Sequence, residues 1–418
     1  MSESLGKLSW TQKVRLFAAA YLLLLNGIGL GFIFREELEP VAQAANIMGQ
    51  DLLTHPLTTD WRYDGGFGLE VLDPSAAEGH LLVSGFFMDE EAVSLRLIDL
   101  SSGETLKAWT PDPYEIRDLT DSTLQTPDRF EPQSPIPMAD GGLIFIDNQG
   151  PLVRIDACSQ IVWIAEGHQH HSLELDLEGN LIGPSVDPPL PAPYESLRND
   201  SIARFSLDGD KLESTSVAQI MIDNGLEHLL NANFPYNKDA VHLNDVEVAR
   251  HDGPFWRVGD LALSLRVINL VMIYRPSTGE IVWHSVGPWQ KQHDPDFNAD
   301  GTLSVFGNDT IDVEPRRLIK GHSDIYIVGR DKVIRTPYTQ AMAAAQVGTE
   351  TQGLLDILPN DDAYVEETDR GRLVRIGADG LKWRFNNTNG KSAGVLNWSR
   401  HYPPGELPQG ALKPCRAG

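Results

Sequence analysis

Short apolar runs, each closed by a polar turn, follow one another along the chain from about residue 65 onward. The clearest example is the stretch 281–309, in which Val282-Trp283 belongs to one run and 302–306 forms the next. Between these runs lie a Gly-Pro loop, Gln292-His293-Asp294 and the turn 298–301. Short runs rich in β-branched and aromatic residues and bounded by turn residues predict β-strands.

The same frame recurs elsewhere in the chain. Trp163 is followed by His170-His171 and then by Gly179, and Trp283 is followed by His293 and then by Gly301. His171 and His293 each precede the glycine of their own repeat by eight residues. Weaker copies contain Trp109 and Trp383. Repeating units of roughly 40–60 residues made of short strands predict an all-β, six-bladed β-propeller over residues 65–418.

In a propeller the innermost strand of every blade lines one central channel. Equivalent positions on those strands therefore converge, even when they are far apart in sequence. This geometry would bring the histidines of different repeats into one site. The proline-rich segment 184–193 is expected to be a loop on the rim, because proline cannot donate to the hydrogen-bond ladder of a central strand.

The N-terminal region has a different pattern. Residues 16–34 are an uncharged, mostly apolar run that is long enough to cross a bilayer as a helix. Basic residues precede the run and acidic residues follow it, which predicts a short cytoplasmic tail (1–15), a single-pass signal anchor (16–34) and a helical linker (35–64). The propeller would then lie on the periplasmic, or extracytoplasmic, side of the inner membrane. A cleaved signal peptide ending near Ala42-Gln43-Ala44 is the competing interpretation.

The composition limits which classes of partner and ligand are expected. The chain has 418 residues with 34 basic and 59 acidic side chains, a net charge of −25, and no long basic run, so nucleic acid is excluded as an expected partner. Two cysteines, Cys158 and Cys415, either form a disulfide or remain as free thiols. Their spacing matches no zinc motif, so no metal is expected. The oligomeric state is left open.

Four segments carry polar side chains suited to chemistry. They contain His170-His171, His242 with Asn244, Arg266, and His293 with Asp294. An alternating strand would place His242 and Asn244 on one face. Asn244 could orient one of the histidines, and Asp294 could fix the tautomer of His293. Arg266 precedes an apolar strand, so its guanidinium should reach a polar end or an anion.

Taken together and in this order, the motifs resemble the bacterial arylsulfate sulfotransferase family of exported six-bladed propellers. They are His170-His171 before Gly179-Asn180, His242-x-Asn244-x-Val246, Ser264-Leu265-Arg266 with Asn269-Leu270, Thr278-Gly279-x-Ile281-Val282-Trp283, Gln292-His293-Asp294 and a late segment from Leu358-Pro359-Asn360 to Trp383. The resemblance covers roughly residues 130–390.

The resemblance implies a membrane-anchored, divergent member of this family. It implies that His293 is the nucleophile that takes the sulfuryl group from a phenolic sulfate ester and passes it to a phenolic acceptor. His171, His242 and Arg266 would bind the sulfate oxygens, and Asn244, His170 and Asp294 would contribute to substrate binding. No nucleotide sulfate donor (PAPS) and no other cofactor are needed. The alternative is a non-catalytic, membrane-anchored propeller that binds a ligand or a protein partner, in which these side chains need not converge.

Overall fold

The computed structural model describes residues 57–61, 66–120, 129–232, 234, 237–313 and 316–415. The expected tail (1–15), the expected anchor (16–34) and most of the expected linker (35–64) lie outside these ranges. Within the described ranges, no helix combines the length and the apolar character that crossing a bilayer requires. The end of the linker segment contributes a two-residue strand, Thr58–Thr59.

Strands dominate the described part of the chain. In chain order they are β1 (Thr58–Thr59), β2 (Gly68–Val71), β3 (His80–Phe87), β4 (Ala92–Asp99), β5 (Thr105–Trp109), β6 (Pro132–Pro137), β7 (Leu143–Asp147), β8 (Gly150–Ile155), β9 (Ile161–Gln169), β10 (Glu174–Leu175), β11 (Leu181–Asp187), β12 (Asn199–Phe205), β13 (Lys211–Ser216), β14 (Leu243–Val248), β15 (Leu261–Leu265), β16 (Leu270–Arg275), β17 (Glu280–Val286), β18 (His293–Phe297), β19 (Leu303–Gly307), β20 (Thr310–Val313), β21 (Arg316–Ile319), β22 (Asp324–Val328), β23 (Ile334–Arg335), β24 (Leu354–Ile357), β25 (Ala363–Glu367), β26 (Arg372–Gly377), β27 (Gly380–Asn386), β28 (Ala393–Gly394) and β29 (Arg400–Tyr402).

The helices of the described residues are short and lie between strands. They are α1 (Pro113–Asp118), α2 (Val217–Asp223), α3 (Glu227–Asn231) and α4 (Thr339–Ala344), with 3-10 turns at Pro74–Ala76 and Thr368–Arg370. Ser216 caps α2 by accepting a hydrogen bond from the backbone N–H of Gln219. The helices are short connections between strands, and the strands form most of the core.

The all-β, propeller-like arrangement is confirmed, but the prediction of six separate blades is wrong. Four sheets are separate blades of four or five strands: β29-β3-β4-β5, β14-β15-β16-β17, β18-β19-β22-β23 and β2-β27-β26-β25-β24. The remaining large sheet contains eight strands, β6 to β13. It is continuous because β9 pairs with β11 at Gln169 and Ser185, which joins two repeats that the sequence pattern treats as separate.

A strand that contains a proline makes this junction. The sequence predicts a rim loop over 184–193, yet β11 extends to Asp187 and pairs with β12 along its whole length, with Pro184 opposite Ile202. The carbonyl of Pro184 accepts a hydrogen bond from the backbone N–H of His170 at 3.3 Å. Pro184 lacks only the donor, so its acceptor still takes part in the sheet.

The two ends of the described chain close the ring of sheets. The late strand β29 pairs with β3, and the early strand β2 pairs with β27. Neighbouring sheets pack face to face through apolar side chains; Leu95 and Trp109 of one sheet, for example, contact Phe145 and Val153 of the next. Cys158, in the turn before β9, is disulfide-bonded to Cys415, with their Cα atoms 4.6 Å apart. The bond ties the end of the chain to the eight-stranded sheet.

The recurrent tryptophans occupy equivalent places in this fold. In the strand order of the sheets, each lies on the fourth strand of its repeat: Trp109 on β5, Trp163 on β9, Trp283 on β17 and Trp383 on β27. Trp109 and Trp383 are almost fully buried between sheets. The tryptophan signal in the sequence therefore marks the fourth strand of a repeat, whereas the histidines lie at the starts of first strands.

Candidate functional site

Three histidines from three different inner strands meet at the centre of the fold. His171 precedes β10, His242 precedes β14, and His293 begins β18. The ring centroid of His171 is 5.4 Å from that of His242 and 6.0 Å from that of His293. The convergence expected from the repeat pattern is therefore present.

The backbone is strained at two of these histidines and at the residue after the third. His171, His242 and Asp294 all have positive φ angles, of 63°, 49° and 50°. Register shifts follow at both later positions, between Leu243 and Asp245 and between His293 and Pro295. A left-handed conformation at a residue other than glycine costs on the order of 1–3 kcal/mol, and such strain is concentrated at functional sites.

The hydrogen bonds around His293 fix its tautomer. Its Nδ1 lies 2.7 Å from Oδ1 of Asn308. The amide nitrogen of Asn308 donates to the backbone carbonyls of Thr349 (3.1 Å) and Gln352 (2.6 Å), so the amide oxygen must face the ring. An amide oxygen only accepts, and therefore Nδ1 of His293 carries the proton. The lone pair is left on Nε2.

The surroundings of His293 also keep its ring neutral. The residue is 1% exposed. Burial is the largest cause that holds the pKa of His293 well below its ordinary value, and the charge of Arg266 is the second. A neutral imidazole with a lone pair on Nε2 has the form that nucleophilic attack requires.

His242 is paired with a carboxylate. Its Nδ1 lies 2.5 Å from Oδ2 of Asp239, and Arg198 lies 3.4 Å from the same oxygen. Although burial opposes the shift, the charges of His242 and Arg198 hold the pKa of Asp239 well below its ordinary value. The ionised carboxylate only accepts, so it keeps a proton on Nδ1 of His242. Asp239 therefore fixes the orientation of the His242 ring, as Asn308 fixes that of His293.

His171 is held in place by its neighbours. Its backbone N–H donates to Oε1 of Gln133 at 3.0 Å, and its carbonyl accepts from Oγ of Ser134 at 2.7 Å. Its Nδ1 lies 2.9 Å from Nδ1 of His170, so the two rings share one proton and their tautomers are coupled. Burial lowers the pKa of His170 to about 4, and Nε2 of His170 faces Asp200 at 3.6 Å. His170 is fully buried behind His171 and acts as its support.

Arg266 supplies the permanent charge beside these rings. It follows the last residue of β15, and its backbone N–H donates to the carbonyl of His242 at 3.0 Å. The side chain is 6% exposed, and its Nη2 has no hydrogen-bond partner among the described residues. Burial, reinforced by Arg317, lowers its pKa to about 10, so the group remains charged at neutral pH. A buried guanidinium with an unused donor is suited to an anion.

Two expected site residues have other contacts. The amide nitrogen of Asn244 donates to the backbone carbonyl of Gln292 at 2.8 Å, so Asn244 positions the residue before His293. The carboxylate of Asp294 accepts from the backbone N–H of Leu355. The expectation that Asp294 fixes the tautomer of His293 is corrected by the structure, in which Asn308 has that contact.

An acidic cluster formed by Asp245, Glu247, Asp294, Asp296 and Asp356 lies on β14, β18 and β24; Asp245 is buried, Asp356 is exposed and the other three are half-buried. Burial raises the pKa of every member, and the neighbouring carboxylates add to the shift in Asp245, Glu247 and Asp296. Burial likewise raises the pKa of Asp294 to about 8 and that of Asp356 to about 6. Within the described ranges, no group of three or more histidine, cysteine or acidic side chains is arranged to hold a metal ion.

Sequence reasoning missed two residues at the centre of the site. Asn308 lies near the end of the stretch 281–309 but carries no motif of its own. Trp398 lies before β29, and its ring centroid is 6.2 Å from that of His171 and 6.4 Å from that of His293. Its indole N–H donates to Oε1 of Gln352 at 3.2 Å. Positive φ angles recur at Gln352 and Trp398, but a single sequence gives no signal for that backbone repeat.

Comparison with solved structures shows the fold. A protein of unknown function from Bacteroides caccae is 14% identical, with a TM-score of 0.50, covering 77% of this chain and 98% of its own. Hydrazine synthase from Kuenenia stuttgartiensis is 11% identical (TM-score 0.45, covering 78% and 79%), and a catalytically inactive virginiamycin B lyase from Staphylococcus aureus with quinupristin is 12% identical (TM-score 0.39, covering 81% and 88%). These last two likenesses are too weak to support an inference.

The family comparison is more specific. No curated protein matches the chain. The family model described as arylsulfotransferase (ASST) matches residues 138–388, which is more than half of the chain. The matched range contains His171, His242, Arg266, His293 and Asn308. The chain therefore belongs to the arylsulfotransferase family.

Proposed function

We propose that the protein transfers a sulfuryl group from an aryl sulfate to a phenolic acceptor through a covalent intermediate on His293. The observation that carries this proposal is the environment of the His293 ring. Asn308 holds the proton on Nδ1, and burial with the Arg266 charge keeps the ring neutral, which leaves a lone pair on Nε2. Neutral imidazole is the form that attacks an electrophilic centre.

In the first half of the reaction, Nε2 of His293 attacks the sulfur of the aryl sulfate. The N–S bond forms as the S–O bond to the aryl group breaks, and the bonding pair leaves with the phenolate. The products of this half are an N-sulfo imidazolium on His293 and a phenol, once the phenolate has taken a proton. Positive charge on the sulfated ring makes it a good sulfuryl donor for the second half.

Stabilisation of the transition state falls mainly to Arg266, which has an unused Nη2 donor. Arg266 would donate to the sulfuryl oxygens, and the rings of His171 and His242 would lie beside the same group, with His242 held in place by the ionised Asp239. Fixed donors aimed at developing charge in a buried site contribute on the order of 2–4 kcal/mol each to the barrier.

In the second half, an acceptor phenol takes the place of the departed phenol. Its oxygen attacks the sulfur, the N–S bond breaks, and the phenolic proton is released. The first phenol leaves before the acceptor binds, and the sulfuryl group stays on His293 in between. The kinetics should therefore be ping-pong. No nucleotide sulfate is required at any step.

We also propose that the catalytic domain lies outside the cytoplasm, attached through residues 16–34. Support comes from the disulfide between Cys158 and Cys415, because disulfides persist in oxidising compartments. Protease digestion of intact spheroplasts tests this location. Degradation of the domain without lysis agrees with it, and protection until lysis contradicts it.

The activity test is release of nitrophenol from para-nitrophenyl sulfate in the presence of a second phenol. His293→Ala should reduce release by at least about a thousandfold, because the nucleophile that carries the sulfuryl group is lost. His228→Ala is the matched control, since His228 is an exposed histidine on α3. Equal release by wild type and His293→Ala would remove His293 as the nucleophile.

A further inference from the structure

A set of charged side chains at the mouth of the site has no role in the chemistry described above. Lys291 lies two residues before His293, and Asp312 and Arg317 lie on the hairpin β20–β21. Nζ of Lys291 is 3.2 Å from Oδ2 of Asp312, and Nε of Arg317 is 3.1 Å from Oδ1 of the same carboxylate. We call Lys291, Asp312 and Arg317 the mouth cluster.

The backbone fixes the hairpin relative to His293. At the root of the hairpin, the N–H of Asp309 donates to the carbonyl of Gln290 at 3.0 Å, and the N–H of Gln290 donates to Oδ1 of Asp309 at 3.1 Å. The N–H of Lys320 closes the other side by donating to the carbonyl of Asp309 at 2.8 Å. The mouth cluster is thus anchored to the segment that leads into His293.

A second pair of hydrogen bonds, made through Asn269, connects the mouth cluster to Arg266. The N–H of Lys291 donates to Oδ1 of Asn269 at 2.8 Å, and the N–H of Asn269 donates to the carbonyl of Arg266 at 3.3 Å. Burial, and then the charge of Arg266, lowers the pKa of Lys291. The ammonium of Lys291 is therefore close enough to the guanidinium of Arg266 for the two charges to repel each other.

The cations at the mouth outnumber their counter-ions. Asp312 and Arg317 are directly opposite each other on the two strands, so they share the face of the hairpin turned toward Lys291. Arg266, Lys291 and Arg317 provide three positive charges, whereas Asp312 is the one carboxylate within salt-bridge distance of them in the described ranges. Repelling cations held together by one anion form a site for further negative charge.

The sulfuryl group accounts for only part of this excess. Arg266, which is buried beside His293, is placed to receive it. Lys291 and Arg317 lie farther out, with side chains 21% and 36% exposed. Their donors would face the part of a substrate that projects from the sulfuryl position toward the mouth, which is its aromatic ring and the substituents on it.

We propose that Lys291 and Arg317 bind an anionic substituent on the aromatic ring of the substrate, so that carboxylated phenols and their sulfates are the preferred substrate class. This inference rests on the proposed sulfuryl transfer at His293. A ligand carboxylate would accept hydrogen bonds from both cations and compensate the charge that Asp312 leaves unbalanced. Neutral phenols would leave the same cations facing water.

The test compares a charged and an uncharged acceptor of the same phenol, para-hydroxybenzoate and its methyl ester, with para-nitrophenyl sulfate as donor. Wild type should use the carboxylate with a kcat/KM about tenfold above that of the ester. Lys291→Gln and Arg317→Gln should each bring this ratio toward one. Arg335→Gln is the matched control, because Arg335 lies on the same blade, is 61% exposed and pairs with Asp300 at 3.7 Å. Its ratio should equal that of wild type.

The outcomes separate the inference from the function on which it rests. Transfer to both acceptors at equal rates, or an unchanged ratio in Lys291→Gln, would overturn the inference and leave sulfuryl transfer standing. Absence of transfer to any acceptor would remove the proposed function. In that case, calorimetric titration of the two acceptors decides the anion site directly: binding of para-hydroxybenzoate that weakens in Lys291→Gln supports it, and equal or absent binding of both compounds overturns it.

Discussion

The inner strands present two opposite electrostatic environments within a few residues of each other. His293 is neutral, next to Arg266, and its pKa is lowered by burial. Asp294, the next residue, belongs to the acidic cluster, and burial raises its pKa to about 8. Another member of the acidic cluster, Asp245 on β14, lies three residues after His242, and burial raises its pKa as well. Burial pushes both kinds of group toward the neutral form, because low dielectric disfavours charge of either sign.

The difference between the two regions lies in their neighbours. The histidines face Arg266 and the mouth cluster, whereas the carboxylates face one another. In a protein with a net charge of −25, an anionic substrate needs a local positive focus, and the histidine side supplies it. The acidic side supplies no positive charge to a sulfate ester. The comparison therefore predicts that changes on the histidine side alter catalysis and that changes on the acidic side alter stability.

The largest effect should come from removing the permanent charge. Arg266→Gln should lower kcat/KM by about a hundredfold to a thousandfold, because a buried donor to the sulfuryl oxygens is lost. The substitution should also raise the pKa of His293, since the Arg266 charge lowers it. The acid limb of the pH–rate profile should therefore move to higher pH. A drop in rate with an unmoved profile would contradict the coupling between these two residues.

A smaller effect should come from the residue that fixes the tautomer. Asn308→Ala removes the acceptor for Nδ1 of His293 and should reduce kcat by about ten- to a hundredfold, as the ring loses its preferred tautomer and orientation. The pH–rate profile should change as well, which a merely structural role would not produce.

Asn387→Ala is the control for Asn308→Ala. Asn387 is equally buried, and its amide bonds the backbones of Met88, Phe86 and Gly394 away from the histidines. Its loss should cost about 1–3 kcal/mol of stability while kcat per folded molecule stays the same. If Asn387→Ala and Asn308→Ala lower kcat alike, Asn308 has no special role.

The smallest effect should appear on the acidic side. In the folded state Asp294 holds its proton up to about pH 8, while the unfolded chain releases it near the ordinary pKa of 3.8. The folded state thus binds more protons between these values, and the contribution of Asp294 to stability is lost as pH rises through that window. Asp294→Asn keeps an oxygen for the N–H of Leu355 and should raise Tm by about 2 °C at alkaline pH, with little change in acid.

Asp208→Asn serves as the control for this comparison, because it makes the same chemical substitution at an exposed turn residue. Its Tm should follow that of wild type at every pH. Thermal melts across the pH range measure both variants. A Tm difference for Asp294→Asn that is larger in acid than in alkali would contradict the expected loss of stability with rising pH.

Much of the fold follows from the repeat pattern. The eight-residue spacing of His171 and His293 from their glycines, and the recurrent tryptophans, are local signals that survive in a single sequence. The predicted count of separate blades is wrong because sheet continuity depends on one pairing, Gln169 with Ser185, that no repeat unit encodes. The loop predicted at Pro184 is wrong for a related reason: this residue lacks a donor but keeps its carbonyl bond to His170.

The supporting residues of the site could not be predicted in the same way. Asn308 and Asp239 act through contacts that depend on how the inner strands are kinked, and Trp398 reaches His171 from the far end of the chain. Because Asp294 is adjacent to His293 in sequence, it is the residue expected to fix the tautomer of His293; in the structure Asn308 makes that contact. Alternation along the strand, modified by the positive φ of Asp294 itself, turns that carboxylate toward Leu355 instead.

The most direct test of the central claim is to trap the intermediate on His293. Purified protein would be mixed with para-nitrophenyl sulfate without an acceptor, quenched in alkali and analysed by peptide mass spectrometry. We expect the peptide containing His293 to gain the mass of one SO₃ group, and we expect this mass to disappear when a phenol is added before the quench. An unmodified His293 peptide together with rapid nitrophenol release, or the added mass on a different residue, would contradict the central claim.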